Sequence, residues 1–268
     1  MAHPNFLLNN RVLLVGGSSG LGFATASAAL SNKSKVHITS TTPEKLATKI
    51  GELQSLYSGA HVSGSVANLA NADTLEESLQ SVLEAAVKEL GGIIDHIVWT
   101  AGDERTLVPL AQMTAVSAMN SFTLRYVGPL LVGKLIAANS GKYVKTAASS
   151  SITLTSGIMA HRPRKGIVAG TAGAVEAIMR SLAVELAPIR VNAVIPGAVM
   201  TELLQRMFAG NPALAESMEG AFKTASLTQE VGTPEAAAEA YLFCMRSALA
   251  TGQSFVIDNG YLMSSGGM

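Results

Sequence analysis

One cysteine in 268 residues, 5% aromatic side chains and 14% charged ones leave several kinds of chemistry without material. The lone thiol, Cys244, excludes an internal disulfide and any cysteine-rich metal site. Its place in an expected helix from Ala236 to Ala248 reads as a small buried hydrophobe. The histidines show no pairing at ligand spacing, so no metal site is expected. Lysine and arginine number 19, as do aspartate and glutamate, and no basic stripe runs along the chain. Nucleic-acid and membrane-surface partners are therefore not expected. No apolar run approaches the roughly 20 residues that span a bilayer. The opening MAHPNFLLNNR has no cation before its short apolar pair, unlike a secretory leader. A cytoplasmic protein is expected.

Apolar side chains make up 48% of the chain, enough for one large core. Short apolar runs recur at Val12–Val15, Val36–Thr39, Val62–Val66, Ile93–Trp99, Ser151–Thr155, Val191–Ile195 and Ser254–Ile257, with helix-period stretches between most of them. Strands apolar on both faces, joined by crossovers of helical length, predict an α/β fold. Its centre is a doubly wound parallel sheet of about seven strands with helices on both sides. No Pro/Ser-rich linker or charge block divides the chain, so residues 1–268 read as a single Rossmann domain that includes the substrate pocket. The clearest helix runs from Ala169 to Leu186, with Glu176 and Arg180 spaced as an i,i+4 pair and Pro188 ending it. A second long helix, Ala115 to Asn139, contains Gly128-Pro129, where a kink or close backbone contact is expected.

The strand Arg11–Val15 runs directly into Gly16-Gly17-Ser18-Ser19-Gly20-Leu21-Gly22, and a helix from Phe23 to Leu30 follows. Glycine at these places allows a tight turn (Gly16), close approach of a pyrophosphate (Gly20) and packing of helix on strand (Gly22). The N–H groups at the helix start face the phosphates.

The spacing Gly-x-x-x-Gly-x-Gly resembles that of the short-chain dehydrogenase/reductase (SDR) superfamily, and the resemblance extends along almost the whole chain. Trp99-Thr100-Ala101-Gly102 is similar to the family's Asn-Asn-Ala-Gly. The segment from Arg190-Val191-Asn192 through Pro196-Gly197-Ala198-Val199-Met200-Thr201 is similar to the family's Arg-Val-Asn…Pro-Gly-x-x-x-Thr, which borders the nicotinamide. Gly252 to Gly260 resembles its last strand. The resemblance implies a dinucleotide held by Gly16, Ser18, Ser19, Gly20, Leu21, Gly22, Ser40, Thr41, Asn68, Leu69, Ala101, Gly102, Pro196, Gly197, Val199 and Thr201. Where NAD-binding members carry a ribose-binding acid, this chain has Ser40, followed by Thr41 and Thr42, which favours NADP(H). Those hydroxyls equally suit the start of a helix at Pro43, and neither Ser19 nor Thr41 is the Arg or Lys that usually pairs with a 2′-phosphate. Asn68 takes the place of an Asp beside the adenine.

The family's proton-transferring Tyr-x-x-x-Lys is missing. Its Tyr position falls on Val168 and its Lys position on Ala172, and no tyrosine lies between Tyr143 and Tyr241. The family's serine survives as Ser156, with Thr155 beside it; Ser156 could bind a substrate or simply close a strand end. The family's helix-four Asn aligns with Arg125, a permanent cation suited to an oxyanion or carboxylate and unsuited to proton transfer. The loop His161-Arg162-Pro163-Arg164-Lys165-Gly166 reads either as a cationic mouth for an anionic substrate or as a solvated charged loop. Asp103 is the nearest acid to the expected nicotinamide. The catalytic candidates are therefore Arg125, Ser156 and Asp103. Two functions follow. One is an NADP(H)-dependent reductase of an iminium or activated alkene in secondary metabolism, resembling fungal reductases of bicyclic indole alkaloid pathways in which imine reduction is coupled to cycloaddition. The other is a non-redox isomerase, cyclase or metabolite-binding protein that keeps the dinucleotide pocket. The resemblance also implies a small-molecule substrate and a homo-oligomer, dimer or tetramer.

Overall fold

The computed structural model describes residues 4–102, 110–163, 170–207 and 210–264. Its strands are β1 (Arg11–Val15), β2 (Lys35–Ser40), β3 (Val62–Val66), β4 (His96–Trp99), β5 (Ser151–Thr155), β6 (Arg190–Pro196) and β7 (Ser254–Ile257). All pair in parallel in the order β3-β2-β1-β4-β5-β6-β7. Among the described residues the helices are α1 (Gly20–Ser31), α2 (Pro43–Leu56), α3 (Leu75–Glu89), α4 (Ala115–Phe122), α5 (Gly128–Ala138), α6 (Gly170–Glu185), α7 (Glu202–Met207), α8 (Pro212–Thr224) and α9 (Pro234–Arg246).

Alternation along β1 shows how the two cores arise. Val12 and Leu14 pack with Ala26, Ala29 and Tyr241 on the α1/α9 side, while Leu13 and Val15 pack with Leu83, Val132 and Met179 on the α3/α5/α6 side. Helix starts carry their own signals. Thr42 and Thr233 accept a hydrogen bond from the N–H three residues on, and a proline follows each.

The expected helix from Ala115 to Asn139 is three pieces: α4, a π-helical turn at Thr123–Val127, and α5. Pro129 has no N–H to give back to the carbonyl of Arg125, and the Gly128 N–H reaches five residues back to Thr123. Gly128 lies under the Trp99 ring, where a Cβ would come within 2.5 Å of the indole. The anticipated close contact is thus with Trp99.

Polar groups in the sheet are matched across strands. His37 bridges Ser63 and Ser65 at 2.9 and 2.8 Å, and His96 sits between Ser151 and the Asn10 amide. Burial holds the pKa of His37 down to about 4, with His61 adding to the effect. Burial, aided by Arg190, holds His96 down to about 3. Cys244 is buried on α9 and burial pushes its thiol up to about 12, so it behaves as a small apolar side chain.

Candidate functional site

In the order above, chain progression reverses between β1 and β4, and in open parallel sheets the crevice at such a switch lies beyond the carboxyl ends of the strands. The residues beyond those ends define the site.

Gly16 leaves β1 with φ +89, and a Cβ there would meet the Ala101 main chain at 2.6 Å. Both the conformation and the approach demand glycine. Its N–H donates to Thr39 Oγ1 at 2.9 Å. Thr100 reaches under the turn and donates to the carbonyls of Val15 and Gly16. A Cβ on Gly22 would run into the Gly16 carbonyl and that threonine hydroxyl, so Gly22 sets the depth at which α1 packs. The glycine turn and the Thr100-Ala101-Gly102 segment are therefore one interlocked unit. From across the crevice, Thr201 lies within 3.2 Å of where a Gly20 Cβ would stand. The Glu202 carboxylate accepts the Gly20 N–H at 2.7 Å.

At the end of β2, Ser40 is 4% exposed and its hydroxyl has no hydrogen-bond partner among the described residues. A buried hydroxyl is ordinarily satisfied, so this one fits a ligand atom such as a ribose or phosphate oxygen. Thr41 is exposed, and the Thr42 hydroxyl is committed to capping α2. Ser18 is buried, whereas Ser19 begins α1 without a side-chain cap and Leu21 is half-buried. Asn68 is exposed and closes a local turn onto the Ala70 N–H, while Leu69 belongs to the core. Pro196 ends β6, Gly197 backs onto Asp258, and Val199 bridges to Gly232.

The catalytic candidates fare differently from one another. Arg125 lies in the π turn, and its guanidinium covers Gly102: a Cβ there would meet Nη2 at 2.5 Å. A permanent cation thus stands at the end of β4, on the same segment that supports the glycine turn. Ser156 is buried and donates to the Ala172 carbonyl of α6 at 2.9 Å, a bond that ties the strand end to the helix. Thr155 donates to the Trp99 carbonyl, so the 2.8 Å contact with fully buried Tyr241 is made by the tyrosine proton. Burial raises the Tyr241 pKa well above its ordinary value, and this hydroxyl stays protonated. Ala172, at the expected Lys position, is buried. Asp103 and Val168 lie outside the described residues.

Of the charged loop, His161 pairs with Glu176 at 2.9 Å. Glu176 is only 7% exposed and also accepts from Ser254, so it faces inward instead of forming the helix-surface pair expected with Arg180. Arg162 donates to the Tyr261 carbonyl at 2.7 Å and stacks over its ring. Arg164 and Lys165 are outside the described residues. Sequence reasoning missed Glu202 and the tertiary partners of Glu176 and Tyr241; the only available signal was Glu202 directly after the Thr201 motif. No cluster of three or more metal-binding side chains occurs among the described residues, and no helix among them is long and apolar enough to cross a membrane.

A family model described as an SDR-like Rossmann domain matches residues 3–264. The chain is 37% identical over 251 residues to the short-chain dehydrogenase/reductase ATR9 of Stachybotrys chlorohalonatus, covering 93% of this chain and 95% of that one. The MalC reductase/Diels-Alderase of Malbranchea aurantiaca superposes with a TM-score of 0.90 at 34% identity, covering 97% of this chain and 99% of that one. An NADPH-bound short-chain oxidoreductase of Pseudomonas aeruginosa with an atypical catalytic centre superposes with a TM-score of 0.83 at 25% identity, covering 97% and 99%.

Proposed function

Because this chain belongs to the SDR-like Rossmann family, we propose that it binds NADP(H) along the crevice from Ser40 to Gly102 and reduces an iminium or activated alkene of secondary metabolism, with a coupled cyclisation. The observation that carries this reading is the Arg125 guanidinium against Gly102, at a site where the Lys position is Ala172 and the hydroxyls of Thr155 and Ser156 are given to the main chain.

When bound, the cofactor supplies a hydride. An iminium carbon accepts a hydride without any proton to the substrate, so a site lacking Tyr and Lys suffices for it. Arg125 holds a substrate carbonyl or carboxylate oxygen and stabilises negative charge that develops there. Gly16, Ser18, Ser19, Gly20, Leu21 and Gly22 cradle the phosphates at the start of α1. The unpartnered Ser40 hydroxyl and the absence of an acid at that position favour the 2′-phosphate of NADP(H). Thr41, Asn68 and Leu69 border the adenosine, and Ala101, Gly102, Pro196, Gly197, Val199 and Thr201 border the nicotinamide half. Asp103 is the candidate proton donor for an alkene substrate. The similar reductase/Diels-Alderase of Malbranchea aurantiaca and NADPH-bound oxidoreductase of Pseudomonas aeruginosa lend support. The exposed apolar side chains Phe243 on α9 and Val256 on β7 suit a homo-oligomer, and we place the protein in the cytoplasm as a single domain.

The commitment of both strand-end hydroxyls to backbone also favours a second reading, a non-redox cyclase or isomerase with bound dinucleotide. Fluorescence titration with NADPH and NADH, followed by a screen of cyclic iminium and enone compounds for NADPH oxidation, separates the two. The reductase reading expects tighter NADPH binding and oxidation with at least one compound class. NADPH bound but never oxidised supports the non-redox reading, and absence of dinucleotide binding overturns both.

A further inference from the structure

Helix α1 begins without the devices that normally satisfy a helix start. Its N-cap Ser19 makes no side-chain bond, and no acid lies in its first turn. The first N–H groups of a helix attract an anion, by hydrogen bonding and by the aligned peptide dipoles. In this protein the anion comes from far along the chain: the Glu202 carboxylate takes the Gly20 N–H at 2.7 Å. Thr201 stands against the same glycine and accepts the Leu204 N–H through its hydroxyl, which starts α7.

The segment carrying this carboxylate is anchored at its two ends, the far one by buried Ala225, whose carbonyl accepts from the Ser264 hydroxyl at 2.6 Å. Its base is tied down where Met200 N–H donates to Gly232 and Gly232 N–H donates to Ala198. Beyond it, the described side chains of α7 and α8 include none that is buried. Such a segment separates from the body at low cost.

We propose that Glu202 is a built-in competitor for the diphosphate of the dinucleotide, holding α7 against the glycine turn until the phosphates displace it. The inference rests on the dinucleotide reading above. A carboxylate and a diphosphate oxygen seek the same donors and repel each other, so cofactor entry releases Glu202 and unlatches α7. Cofactor occupancy then sets the position of α7 and α8 on the carboxyl side of β6.

The test is titration of the cofactor-free protein, wild type and the variants Glu202→Gln and Glu202→Ala, with NADPH, ADP and adenosine. Circular dichroism first verifies that the variants keep the native fold. Both variants are expected to bind NADPH and ADP about three- to tenfold more tightly, with adenosine unaffected because it carries no phosphate. A general loosening of the fold would shift all three ligands together, which overturns the proposal. Unchanged or weaker ADP and NADPH binding in the folded variants overturns it too and leaves the dinucleotide reading intact. Failure of wild type and variants alike to bind any of the three overturns that reading, and this proposal with it.

Discussion

Arg190 and Arg125 occupy opposite ends of the same sheet and illustrate two uses of one side chain. Arg190, at the start of β6, is 3% exposed and gives its guanidinium to the carbonyls of Ala148, Cys244, Met245 and Ala250. Two of these belong to the last turn of α9, where carbonyls lack helical partners and the dipole favours a cation. Asn192 extends the clamp, donating to Ala250 and accepting from the Gln253 N–H. Arg125, beyond the end of β4, is half-buried with its guanidinium on Gly102, at the crevice mouth. The first cation joins chain to chain; the second stands where a ligand arrives. The comparison also divides one motif in two. Arg190-Val191-Asn192 works at the base of the sheet, ~20 Å of strand away from Pro196-Gly197, and only the latter half reaches the site.

Substituting the two arginines should separate these roles. Arg190→Ala takes the guanidinium from the buried carbonyls of Cys244 and Met245, while Ala250 keeps the Asn192 amide, and is expected to lower stability by about 3–5 kcal/mol in urea denaturation. Arg190→Lys should recover only part, since an ammonium cannot span the same carbonyls. A loss below about 1 kcal/mol would erase the contrast. At the other end, Arg125→Ala should cut kcat/KM on any substrate found by about 100-fold or more. Its melting temperature should stay near wild type and its NADPH affinity within about a few fold. Wild-type turnover in that variant would remove Arg125 from the mechanism.

The smallest effect, read per unit of pH, concerns the histidines inside the sheet, His96 near Arg190 and His37 on β2. Their folded pKa values, about 3 and about 4, lie below the ordinary value of 6.5. Below that value the unfolded chain takes up protons before the folded one does. The stability is therefore fully present above it and is lost as pH falls toward the folded values. Urea denaturation across this range should show stability falling by ~1.4 kcal/mol per pH unit for each histidine. A flat profile would mean that the folded sheet admits the charged rings.

The sheet was legible because strands covered on both faces must be apolar throughout, as at Val12–Val15 and Val191–Ile195. The glycine turn was legible because its spacing is dictated by close approaches that the structure displays at Gly16 and Gly22. The directions of hydroxyls and carboxylates were not. Ser156 closes onto α6, and Thr155 meets a tyrosine from α9, partners fixed only once helices pack on the sheet. Glu176 reads as a surface acid by helical spacing, yet His161 and Ser254 converge on it from separate elements. Gly128-Pro129 announced a disturbance, while the five-residue reach from Gly128 to Thr123 required the tertiary contact with Trp99.

That π turn means the aim of Arg125 is written in the number of residues as well as in their identities. A π turn holds one residue more than the α-helical turn it replaces, and one residue corresponds to about 100° of helical rotation. Removing a single residue between Thr123 and Val127 would swing the guanidinium away from Gly102 while altering neither the arginine nor the strands beneath it. A lineage could therefore gain or lose this cation at the crevice by a one-codon insertion or deletion, a change that a comparison of residue types alone would overlook.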